Sequence, residues 1–157
     1  MNLISCICYA FAAGLMPPAD FPGVQLSPRA WYGLENELAV ITEAATANGI
    51  SYGDDLFLIL CAIRKQENGA DHLAFGIIHP KAQRQIEADP RRAYRIQAGW
   101  AAATVRKNFG RYVRAGRPGN FVDYLADRYC PASVDPVGNS NWKRNVSAWF
   151  NKLRYQI

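Results

Sequence analysis

The chain is poor in sulfur and in histidine, with four cysteines, two methionines and two histidines among 157 residues. Cys6 and Cys8 are one residue apart, Cys61 and Cys130 stand singly, and no Cys-x-x-Cys or Cys/His group accompanies them. That spacing does not form a zinc site, and no disulfide can be deduced from it. Neither a metal nor a cofactor is therefore expected. A long apolar run is also missing. The nearest approach, Leu3 to Met16, is too short to span a bilayer comfortably, so it makes no case for membrane association. It has the length of a signal-peptide core, and Ala10-Phe11-Ala12 is similar to a cleavage site, but no Lys or Arg precedes it. A short element docked on the domain is the favoured reading, with a signal sequence second. No internal repeat is present. Acidic residues become scarce in mid-chain: residues 81–117 carry ten basic side chains against two acidic ones.

What is there describes one folded domain. Half the residues are hydrophobic and a fifth are charged, outside the range of disordered chains. The length supports a real core but not two comfortable ones. Residues 1–26 comprise the apolar segment and the proline-rich linker Pro17-Pro-Ala-Asp-Phe-Pro-Gly23, and residues 27–157 make the domain. The net charge of +5, concentrated after residue 80, suggests a polyanionic partner such as the bacterial wall, nucleic acid or anionic lipid.

The spacing predicts mostly helices. Ser27-Pro28 opens one whose stripe is Trp31, Leu34, Leu38, Ile41 and Ala45, ending at Gly49. Asp89-Pro90 opens the longest, which runs to about Arg114. Tyr94, Ala98, Ala101, Val105, Phe109 and Tyr112 form its apolar stripe, and arginines fall on its solvated side. Gly99 and Ala101–Ala103 are small enough to admit a neighbouring helix closely. Phe121, Tyr124, Leu125 and Tyr129 suggest another helix, and Ala132–Ser140 reads as a surface loop. Asn141 then caps a last helix along which Trp142, Val146, Trp149 and Leu153 align.

The chain is organised around Asp54-Asp-Leu-Phe-Leu-Ile-Leu-Cys-Ala-Ile-Arg-Lys-Gln-Glu67-Asn-Gly69. Asp54 is a good N-cap, Asp55 suits the positive helix end, and the run to Ile63 is apolar on nearly every side, as in a helix buried mid-domain. Leu56, Ile59, Leu60, Ile63 and Glu67 share one face, so the inward stripe ends in a carboxylate. Gly69 is placed for the left-handed cap. An anion at a helix C-terminus is unfavourable by up to about 1 kcal/mol, so Glu67 stands where stability alone does not ask for it. The bland alternative is a solvated Glu67, or one paired with Arg64 or Lys65.

Gln66-Glu-Asn-Gly-Ala-Asp-His-Leu-Ala-Phe-Gly-Ile-Ile-His-Pro80 resembles the lysozyme-like superfamily, within it the lytic transglycosylases and goose-type lysozymes. There a buried helix ends in the catalytic Glu, a Ser-x-Gly turn follows, and a Gly-Leu-Met-Gln-like segment comes a short loop later. Asn68 stands in place of that Ser and His79 in place of that Gln. The likeness is clearest over residues 54–80, and Tyr129–Val146 looks like versions of the domain found in bacteriophage proteins. The resemblance implies a mainly α, α+β lysozyme-like fold: a helical bundle around a buried catalytic helix, with a small loop or β-hairpin lip. It implies cleavage of peptidoglycan between N-acetylmuramic acid and N-acetylglucosamine, in a phage virion or at the bacterial envelope, with Glu67 as general acid/base. Gly76, Ile77, His79 and Tyr129 would bind the sugar. A lytic transglycosylase uses the substrate's 6-hydroxyl as nucleophile and needs one glutamate. A hydrolytic muramidase would need a second carboxylate, for which Asp71 and Asp135 are the candidates. Loop residue His72 reads as exposed. The rival classes are a non-catalytic virion protein and a nucleic-acid-binding helical domain using residues 81–117, ranked below the enzyme because it leaves the Glu67–Ile78 segment without a role.

Overall fold

Seven successive residues, Phe57 to Ile63, are buried in the helix that ends at Glu67. A helix apolar all round can satisfy its surface only by being enclosed, and the rest of the chain encloses it. The computed structural model describes residues 33–155. In order, these form α1 (Leu38–Ala47), α2 (Asp55–Glu67), a 3₁₀ turn (Asp71–Leu73), α3 (Pro80–Ala88), a second 3₁₀ turn (Pro90–Arg92), α4 (Ala93–Arg114), α5 (Phe121–Tyr129) and α6 (Pro136–Tyr155). The apolar segment and linker of residues 1–26, and the Ser27-Pro28 helix start with Trp31, lie outside the described residues.

The architecture is mainly α, and among the described residues there is no strand. The β-hairpin form of the lip is thus corrected to a loop, residues 74–79, that follows the first 3₁₀ turn. The central helix α2 packs most extensively on α6, through Trp142, Val146 and Leu153, while α4 lies chiefly on α1 rather than on α2. Small residues do allow a close approach in α4, since Ala98, Ala101 and Ala102 are fully enclosed. Gly99 plays no part in it: a Cβ there would meet nothing within 4 Å. Arg92, Arg95, Arg106 and Arg114 are exposed, as expected of a solvated face, and Arg111 is half-buried against Asn108.

Several boundaries move for identifiable reasons. Asn68, not Gly69, takes the left-handed cap of α2, at φ 41°. Gly69 serves instead by its size, because a Cβ there would lie 2.6 Å from the Leu73 carbonyl oxygen. Helix α3 has only Ala82 and Ile86 buried, a stripe too narrow to show in the hydropathy pattern. The last helix begins five residues before Asn141, within the stretch expected to be loop. Asp135 accepts from the Gly138 backbone N–H at 2.7 Å and Pro136 stands at the first helical position, the usual acceptor-then-proline helix start. No helix among the described residues is long and apolar enough to cross a membrane.

Candidate active site

Glu67 ends α2 half-buried, not in bulk solvent. Its Oε1 accepts a hydrogen bond from the Trp142 indole N–H of α6 at 2.9 Å. Indole nitrogen can only donate, so Oε1 is fixed as the acceptor and Oε2 is left as the oxygen able to carry a proton. Gly76 covers the other side of the carboxyl. Its φ is +67°, and a Cβ built on it would stand 2.5 Å from Oε2 and 2.7 Å from the carboxyl carbon. Only glycine meets both the backbone conformation and the clearance.

The segment carrying Gly76 is held by one side chain. Gln97, wholly buried in α4, accepts from the Phe75 and Ile77 N–H groups at 3.3 and 3.1 Å. Its amide nitrogen donates to the His72 and Ile77 carbonyls at 2.9 and 2.7 Å. Gln83 of α3 adds a second donor to the Ile77 carbonyl at 2.9 Å. Buried backbone groups need partners, and here a glutamine supplies what a neighbouring strand would.

Tyr129, at the end of α5, stacks on Trp142 with ring centroids 5.2 Å apart and 25° between planes. Its hydroxyl is buried without a hydrogen-bond partner. Burial, and secondarily the charge of Glu67, pushes that phenol far above its usual range, so at neutral pH it is a neutral donor beside the carboxylate.

The expected site residues separate into two groups. Glu67, Gly76 and Tyr129 come together around Trp142. Ile77 adjoins them, but its side chain is only 9% exposed and its backbone N–H and C=O are both taken by Gln97. His79 turns away along the lip. It caps α3 by accepting from the Lys81 N–H at 3.2 Å, and stacks on Trp100 at 4.9 Å. Asp71 and His72 are exposed in the 3₁₀ turn, and Asp135 is occupied as the α6 cap. Trp142 and Gln97 are functional positions that spacing did not single out. Trp142 reads as one more residue of an apolar stripe, and nothing local marks Gln97 except that it is polar between Ile96 and Ala98.

Behind the site, Arg64 forks onto Glu37 with two hydrogen bonds of 2.8 Å and lies over the Tyr94 ring, whose hydroxyl donates to Glu37 at 2.9 Å. This pins the last turn of α2 and takes Arg64 as a partner for Glu37. Lys65 lies over Trp149, 5.0 Å from the ring centroid. Neither of the cations expected as alternative partners for Glu67 is bonded to it. Among the described residues no group of three or more His, Cys, Asp and Glu side chains is placed to hold a metal. No protein-family model, curated protein or solved structure matches the chain.

Proposed function

We propose that the chain cuts the glycan strand of peptidoglycan between N-acetylmuramic acid and N-acetylglucosamine, with Glu67 as general acid and then general base. The observation that carries the reading is the Glu67 carboxyl itself. It is half-buried, fixed at Oε1 by the Trp142 N–H, and faced at Oε2 by a glycine that leaves no room for a side chain. A structural carboxylate would be expected to have a cation as partner, and the two nearest cations are engaged elsewhere.

In the proposed reaction Oε2 gives its proton to the bridging oxygen as the glycosidic bond breaks. The 6-hydroxyl of the muramic acid then attacks the anomeric carbon and returns its proton to the same oxygen. The product is a 1,6-anhydro sugar, and the glutamate ends as it began. This route, a lytic transglycosylase, needs one carboxylate. It is favoured over hydrolysis because Asp135 is engaged in capping a helix and Asp71 is an exposed turn residue. In retaining and inverting hydrolases the second carboxylate must flank the scissile bond.

The test is incubation with purified peptidoglycan and mass spectrometry of the released muropeptides. Anhydromuramic ends are expected. Purely reducing ends would replace the transglycosylase with a muramidase and return attention to Asp71. Undigested walls, with tight binding of duplex DNA at physiological salt, would favour the nucleic-acid-binding alternative.

A further inference from the structure

A second concavity of about 650 Å³ lies along α3 and α4, lined by Gln85, Ala88, Asp89, Arg92, Ile96 and Trp100 among others. Gly99 opens it, since no atom stands within 4 Å of where its Cβ would be. The indole N–H of Trp100 is held by Gln85 Oε1 at 2.8 Å, so the ring has a fixed orientation, and one of its faces is covered by His79. The lining combines three chemistries. Ala88, Ala103 and Ile96 give small apolar contacts, Arg92 and Arg95 are cationic, and Asp89 supplies one anion. Arg95 is shared with Glu43 of α1 in an exposed pair, the kind of surface ion pair that is weak and exchangeable.

This groove is continuous with the candidate active site through the lip. Gly76 sits on Glu67 and His79 on Trp100. Three residues of chain span at most about 10 Å, so the two places lie within reach of one polymer repeat. From this we infer that the groove binds the short acidic peptide carried by the muramic acid units of the wall. The inference rests on the glycan-cleaving reading and names which part of the substrate that reading leaves unplaced. The peptide's carboxylates suit the two guanidinium groups, its alanine methyls suit the Ala88–Ile96 floor, and its free amine suits Asp89. Nucleic acid would find the same two arginines, but with a carboxylate between them.

The test separates binding from cleavage. The full-length chain is titrated with a synthetic Ala-Glu-Lys-Ala tetrapeptide and with the same peptide amidated at its carboxyls, following the Trp100 indole N–H by NMR. That resonance is assigned with Trp100→Phe. The free peptide is expected to shift it saturably, and amidation or the Arg92→Ala/Arg95→Ala pair is expected to weaken binding at least tenfold, with unchanged melting. In parallel, KM for peptide-bearing glycan should rise in the arginine variant, while cleavage of peptide-free glycan stays as in the parent. Equal binding of the amidated peptide, or no shift at Trp100, overturns the inference even if glycan is cleaved. Peptide binding without cleavage of any glycan would uphold the groove and remove the enzymatic reading.

Discussion

At the scale of single residues the site reduces to one carboxyl and what touches it. Glu67→Gln keeps an oxygen to accept from Trp142 and loses the proton. Wall-cleaving activity is expected to fall by about two to four orders of magnitude, the usual worth of general acid–base help. Stability should hold or rise by a few tenths to about 1 kcal/mol as the charge leaves the helix end. Thermal melting alongside a turbidity assay checks both, and a variant that still clears walls at the parent rate would leave the reading without its acid. Gly76→Ala is the steric counterpart. A side chain at φ +67° costs about 1–2 kcal/mol, and the new methyl must displace the Glu67 carboxyl, so activity should drop far more than melting temperature. Tyr129→Phe should behave in the opposite way. Its hydroxyl is buried without a partner, a state that costs about 1–3 kcal/mol, so the phenylalanine form should melt higher. The sign with pH follows from the raised phenol. Below pH 10 both folded and unfolded forms keep the proton. Above it the unfolded chain ionises first, so stability falls by up to about 1.4 kcal/mol per pH unit per proton. Alkaline denaturation should therefore be shallower in Tyr129→Phe. Tyr52, pushed by burial to about 12, remains to drive what is left of the slope.

At the scale of elements the lip depends on α4 through a single side chain. Gln97→Leu preserves bulk but strips partners from the Phe75 and Ile77 N–H groups. At about 1–3 kcal/mol for each buried group left unsatisfied, the loop should open locally. Hydrogen exchange should accelerate at Phe75 and Ile77 while the α2 amides keep their protection. Uniform acceleration across the chain would mean that Gln97 holds the whole fold and not the lip. This is also where the sequence stopped being legible. The burial of α2, the stripe of α4 and the span of α5 were all readable, because hydrophobic periodicity reports a face at short range. Glu67 was readable because it breaks that periodicity at a helix end. Pro80–Ala88 was not, having two buried residues to mark it. The start of α6 was hidden because Asp135-Pro136 reads equally as a turn and as a cap. Trp142 and Gln97 were hidden for a different reason: their partners lie 75 and 20–25 residues away, and no local pattern encodes a contact of that range.

At the scale of the whole molecule, charge is the feature that acts at a distance. Ten basic and two acidic side chains between residues 81 and 117 give the α3–α4 side a field suited to a polyanion, screened beyond about 10 Å at 0.1 M salt. Activity on intact walls should fall as salt rises, while cleavage of short soluble glycans changes little. Parallel declines would assign the salt effect to the chemical step instead of to dwelling on the wall. The 75-residue separation of Glu67 from Trp142 has a consequence for how the protein is made. Ribosomes add about 5–20 residues per second, so the glutamate leaves the tunnel several seconds before the indole that orients it. Until then a nascent chain carries the acid without its aim, and any product truncated ahead of α6 stays in that condition. A cell producing a wall-cutting protein is thereby shielded from its unfinished copies by the order in which the residues are translated.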